Sequence, residues 1–130
     1  MTRPAKARYT KSHEWAILEG EIVTLGVTDW AIEHLGDLVF VDLPEAGKEL
    51  EKGDTACEIE SVKAVGEVYC PVSGTVAEAN SGLSDDPGPL AADPFGAGWL
   101  VKIKVNDASG LEELMDLAAY EKHLETAEPG

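Results

Sequence analysis

A chain of 130 residues, 44% of them hydrophobic, is long enough for one domain with a modest core and too apolar to be disordered over most of its length. Its formal net charge of -15 argues against nucleic acid and against an anionic membrane surface, since both reward Lys and Arg. No apolar run approaches the length of a membrane span, so the chain reads as a soluble protein, and its acidic surface as that of a monomer.

The opening residues, MTRPAKARYTK, are basic but hold no apolar core segment, so they are not a secretory signal. They are also short for an organelle transit peptide. Residues 1–8 are expected to fray, and the protein to reside in a bacterial cytoplasm rather than a mitochondrial matrix. Glu14 to Leu18 and Glu21 to Gly26 then read as strands around a Glu19-Gly20 connection. Asp29 to Leu35 reads as a short helix, with Thr28 as its N-cap and Gly36 just past its end. Leu38 to Leu43 is a strand stopped by Pro44 and Gly47. Gly53-Asp54 opens a strand over Thr55 to Glu60, and Glu67 to Cys70 returns. Pro71 and Ser73-Gly74 turn the chain into a strand over Gly74 to Ala79.

Residues 84–98, SDDPGPLAADPFGAG, read as an ordered surface loop. Trp99 to Val105 reads as a closing strand that turns Lys102 and Lys104 outward. Ser109 and Glu112 fit a capping box, after which Leu111, Leu114, Met115 and Ala118 share one helical face. That helix is expected to cover an open end of the sheets, and residues 126–130 to fray. Many short strands between turn signals predict a single domain over 1–130, mainly β: a sandwich or small barrel with peripheral helices.

The chain shows no catalytic constellation. His13, His34 and His123 are scattered, without metal-ligand spacing, so no metal site is expected. There is no GxSxG and no phosphate-binding loop. Asp85-Asp86 and Glu112-Glu113 read as solvated charge. Cys57 and Cys70 lack a CxxC setting and read as small, partly buried thiols rather than a redox pair.

One residue invites a chemical reading. Lys63 sits where one apolar-polar alternation stops and another begins, in CEIESVKAVGEVYC. The plain reading is a solvated turn lysine. The alternative is an attachment point: a hairpin holds the backbone while a four-carbon stem projects the amine.

Glu60-Ser61-Val62-Lys63-Ala64 resembles the lipoylation motif of the glycine cleavage system H protein family. Other stretches fall in the family's order. They are Tyr9-Thr10-Lys11-Ser12-His13-Glu14-Trp15, Gly26-Val27-Thr28-Asp29, Leu35-Gly36-Asp37, Val41-Asp42-Leu43-Pro44, Val72-Ser73-Gly74 and Asp93-Pro94-Phe95-Gly96 with Gly98-Trp99. The resemblance spans about Tyr9 to Leu124. Gly66, Cys70 and Ala92 depart from residues usual in the family.

The resemblance implies a barrel-sandwich hybrid fold and a non-catalytic carrier, with lipoate joined by an amide to Lys63. The partners it implies are glycine decarboxylase (P protein), aminomethyltransferase (T protein), dihydrolipoamide dehydrogenase (L protein), and a lipoyl or octanoyl transferase or ligase. It also implies a surface cleft that shelters the aminomethyl-loaded arm, with Ser12, Glu14 and Glu67 at the matching positions. Without that role, Glu14 and Glu67 read as exposed strand charge and Ser12 as a turn residue. Three other readings compete. A biotin carrier would place methionines where Val62 and Ala64 stand, and a 2-oxoacid dehydrogenase lipoyl module would adjoin Pro/Ala-rich linkers. The third is an H-like protein that acts as a lipoyl-relay donor or as a binding scaffold.

Overall fold

The computed structural model describes residues 3–106 and 109–126, apart from the side chains of Ser109 and Thr126. Strands β1 (Arg8–Tyr9), β2 (Glu14–Glu19) and β3 (Ile22–Val27) open the chain. Helix α1 (Asp29–Leu35) leads to β4 (Leu38–Asp42), β5 (Glu49–Leu50), β6 (Thr55–Ser61), β7 (Val65–Tyr69) and β8 (Gly74–Ala79). Two short helices, α2 (Gly82–Asp85) and α3 (Gly88–Ala92), precede β9 (Val101–Lys104), and α4 (Leu117–Thr126) comes last. One sheet has the order β1-β2-β3-β9-β8-β5 and the other β4-β6-β7, with antiparallel pairing throughout.

The two sheets share a core. Val23, Leu25, Val76 and Ile103 from the larger sheet and Val41, Ile59 and Val68 from the smaller one are buried in a single cluster. Alternation along each strand turns these residues inward and leaves Asp42, Glu58 and Glu60 to the outer side. This is the barrel-sandwich arrangement that the resemblance implies. A second cluster of Ala7, Tyr9, Trp15, Ile17 and Tyr120 lies between the N-terminal strands and α4. Here Gly26 makes room for its cross-strand partner: a Cβ at residue 26 would stand 2.5 Å from the Trp15 indole.

Helix α1 matters most for the site. It has seven residues, so its ends decide whether it forms. Thr28 Oγ1 accepts from the Ala31 amide (3.5 Å), and the Gly36 amide donates to the Ile32 carbonyl oxygen (3.1 Å). Gly36 takes φ 80, where a side chain would be strained.

Four expectations are corrected. The start is held from Arg3 onward: Ala7 is buried, Arg8–Tyr9 is a strand, and the Arg3 guanidinium binds Asp29 (2.9 Å) at the start of α1. Residues 84–98 are not one loop: the end of α2 runs into them and α3 forms within them, each helix anchored by a single buried leucine, Leu83 and Leu90. The helix after Ser109 is two pieces. A 3-10 turn over Ser109–Glu113 ends before Met115, which bridges to Tyr9, and α4 restarts where the Asp116 carboxylate accepts from the Ala119 amide (2.8 Å). The first hairpin turns one residue later than expected, at Gly20-Glu21, with Gly20 at φ 63. Residues 1–2 and 127–130 of the termini expected to fray lie outside the described residues, as does the Ser109 side chain of the capping box.

Candidate functional site

Lys63 stands at the tip of the β6–β7 hairpin. Ser61 closes the turn twice. Its amide donates to the Ala64 carbonyl oxygen (2.8 Å), and its hydroxyl donates to that oxygen and accepts from the Ala64 amide (3.1 Å each). The Val62 amide donates to the Asp37 carbonyl oxygen (3.0 Å), which ties the tip to the segment after α1. The backbone is thus fixed while the side chains of Val62, Lys63 and Ala64 are exposed. The lysine stem leans over the end of α1, where its Cε is 3.6 Å from the position a Cβ of residue 36 would take. Glu60, the remaining residue of the motif, is exposed beside the turn.

From that point a cleft of about 210 Å3 runs between α1 and β7. Trp30, His34 and Leu35 form one wall, Gly66 and Glu67 the other, and Ser12, His13 and Glu14 close the far end. The run is set by α1, which at seven residues is about 10 Å long. All three residues assigned to the arm cleft from the sequence therefore line one hollow that begins near Lys63. A larger hollow of about 810 Å3, around Leu43, Gly47 and Thr55, contains none of them.

Glu14 is 1% exposed, so it is not an exposed strand carboxylate. Its Oε1 accepts from the hydroxyls of Thr10 and Ser12 (2.6 Å each), and its Oε2 accepts from the Tyr69 amide (3.4 Å). Burial pushes its carboxyl above the ordinary value, and these hydrogen bonds pull back. Glu67 is exposed and accepts from the Tyr69 hydroxyl (2.7 Å). Tyr69 thus steadies both carboxylates, a link with no local signal in the sequence.

The histidines are the second feature that sequence reasoning missed. The Trp30 indole is sandwiched between two imidazoles, His13 at 3.9 Å and His34 at 3.6 Å between ring centres, each tilted by 18°. His123 lies 5.8 Å from His13. Among the described residues these groups form no metal-binding set.

Burial, with His123 and His34 nearby, lowers His13 from the ordinary 6.5 to about 4. A base depressed in this way lends stability above its unfolded pKa and loses it as pH falls through the folded one. Wild-type stability is therefore expected to fall from pH 6.5 toward pH 4 through this group. His13→Asn, which tolerates the φ of 70 at this position, should flatten that slope in urea midpoints taken across the range.

The model of the family described as glycine cleavage H-protein matches residues 7–127. The chain belongs to that family. It is 56% identical over 120 residues to a probable glycine cleavage system H protein of Pyrococcus horikoshii, covering 91% of this chain and 89% of that one. To the glycine cleavage system H protein of Acaryochloris marina it is 47% identical over 122 residues, covering 94% and 95%. A crystal structure of a glycine cleavage system H protein from Mycobacterium marinum superposes with a TM-score of 0.86 at 38% identity, covering 95% of this chain and 99% of that one. As a member of the H-protein family this chain is a lipoyl carrier, not a catalyst. Burial raises the thiols of Cys57 and Cys70 above their ordinary value, and Cys70 Sγ donates to the Val72 carbonyl oxygen (2.8 Å). No helix among the described residues is long and apolar enough to cross a membrane.

Proposed function

We propose that Lys63 carries lipoate as an amide and that the loaded arm rests in the cleft between α1 and β7. One observation carries this reading: an exposed lysine on a hydrogen-bonded turn has its stem at the mouth of a mostly apolar cleft that ends at a buried carboxylate. The residues present suit the group. Val62 and Ala64 add no charge beside the amine, and the exposed tip leaves it open to a lipoyl or octanoyl transferase or ligase. When bound, lipoate would supply a disulfide able to keep the aminomethyl group on one sulfur as glycine loses carbon dioxide at the P protein, to give up the one-carbon unit to tetrahydrofolate with release of ammonia at the T protein, and to be reoxidised from the dithiol by the flavoprotein L protein.

The chain's own residues shelter the arm. Leu35, Ile59 and Val68 line the cleft with apolar surface that excludes water, which suppresses hydrolysis of a labile adduct. An ammonium at the far end would meet the Glu14 carboxylate and the Ser12 hydroxyl, with Glu67 at the rim. The protein works in this reading as a cytoplasmic monomer. Intact and peptide mass spectrometry on protein from lipoate-replete cells tests it, with one lipoyl adduct on Lys63 expected. A biotin adduct would move the protein to carboxylase chemistry. An unmodified Lys63 beside a working ligase would turn the reading to a scaffold.

A further inference from the structure

We propose that Tyr120, on the C-terminal helix, is a positioning residue for the cleft, its hydroxyl locking the His13 turn to the start of α1. The proposal rests on the reading of the cleft as the resting place of the arm. Tyr120 is fully buried, and its hydroxyl lies 2.7 Å from Thr28 Oγ1 and 2.8 Å from His13 Nδ1. A phenol can donate once and also accept. It can accept from Thr28 and donate to His13, or accept from His13 and donate to Thr28. Either pattern needs one hydroxyl at that point.

Both groups it holds shape the cleft. Thr28 caps α1, which supplies Trp30 and His34. His13 has φ 70, a conformation that a non-glycine residue keeps only when its surroundings hold it. The Thr28 amide donates to the His13 carbonyl oxygen (3.0 Å), and the imidazole lies flat on Trp30. Ser12 and Glu14 flank that residue, so the far end of the cleft turns with it.

The hydroxyl is itself fixed from outside the cleft. The Tyr120 ring stacks on Tyr9 at 4.7 Å, and Tyr9 exchanges backbone hydrogen bonds with Met115 (2.8 and 3.0 Å). A residue 107 positions from His13 thereby sets the cleft's far end.

Tyr120→Phe keeps the stacked ring and removes only the hydroxyl. Tyr9→Phe is the matched control, because it keeps the ring stacked on Tyr120 and the backbone bonds to Met115 and removes only a part-buried hydroxyl, bound to the Pro4 carbonyl oxygen (2.6 Å). Each lipoylated protein is loaded from glycine by the decarboxylase, and loss of the aminomethyl group is followed after the enzyme is removed. Loss from Tyr120→Phe is expected to be about threefold to tenfold faster than from wild type, the scale of one hydrogen bond. Tyr9→Phe should stay near the wild-type rate. In unlipoylated protein, the His13 NMR titration midpoint should depart from the wild-type one in Tyr120→Phe alone, since that hydroxyl is 2.8 Å from Nδ1. A folded Tyr120→Phe with the wild-type rate and the wild-type His13 midpoint overturns the proposal. So does an equal acceleration in Tyr9→Phe, which would mark general loosening. A wild-type arm that decays as fast as free aminomethyl-lipoamide overturns the cleft reading itself, an outcome told apart because it needs no variant.

Discussion

Lys63→Arg is expected to carry no lipoyl group and to support no glycine-dependent turnover, while folding as the wild type does. The loss should be complete, because a carrier has one point of attachment and no parallel route. Arginine preserves the charge and most of the stem, so the variant isolates acylation from electrostatics. Its guanidinium stays protonated and does not form the amide. The turn would survive, since the hydrogen bonds that close it come from the Ser61, Val62 and Ala64 backbone and the Ser61 hydroxyl. The replaced side chain is exposed, so the stability change should lie within about 0.5 kcal/mol. Intact mass checks the missing lipoyl group, a urea midpoint checks the folding, and decarboxylation of labelled glycine in the reconstituted system checks the turnover. A lipoyl adduct that persists in Lys63→Arg would place the attachment on another lysine and sink the assignment.

What the sequence disclosed was local. Helix α1 has its expected bounds because Thr28 and Gly36 are signals within one or two residues of its ends. The strand over Gly74–Ala79 and the turn at Lys63 were legible for the same reason: alternation stops where the chain turns. The resemblance then pointed to Ser12, Glu14 and Glu67, but not to how they are held. Glu14 reads as exposed from alternation alone, yet β2 is buried on both faces over Glu14–Ile17. Its environment comes from the Thr10–Ser12 turn and from β7, and no window along the chain contains both.

The same holds for the other misses. His13, Trp30 and Tyr120 belong to three separate segments, so their contact is a property of the fold. Leu83 and Leu90 anchor helices too short to show a period. Before α4 the apolar period runs on through Leu114 and Met115, which masked the fresh cap at Asp116. Arg3 gave no sign of its partner, because Asp29 is 26 residues away.

Glu14→Gln should separate stability from shelter. The amide oxygen can still accept from Thr10 and Ser12 (2.6 Å each), the two short bonds at the far end of the cleft, while the longer bond from the Tyr69 amide (3.4 Å) is given up. The negative charge goes, and with it the partner of an ammonium. A charge-assisted hydrogen bond contributes about 1.5–3 kcal/mol, so the aminomethyl group should be lost roughly tenfold to a hundredfold faster. Stability should move the other way. Burial holds the Glu14 carboxyl above its ordinary 4.5, so the folded chain binds this proton more tightly than the unfolded chain does. Stability from this group is then fully present below pH 4.5 and is lost as pH rises through the folded value. The glutamine carries no such slope. The difference between variant and wild-type urea midpoints should therefore shift in the variant's favour from pH 4 to pH 7.5. Glu14→Ala should lose the group as fast and also cost about 2–3 kcal/mol, because two hydroxyls are left without their acceptor. If neither variant sheds the group faster than wild type, the buried carboxylate belongs to the fold alone and the cleft shelters nothing through it.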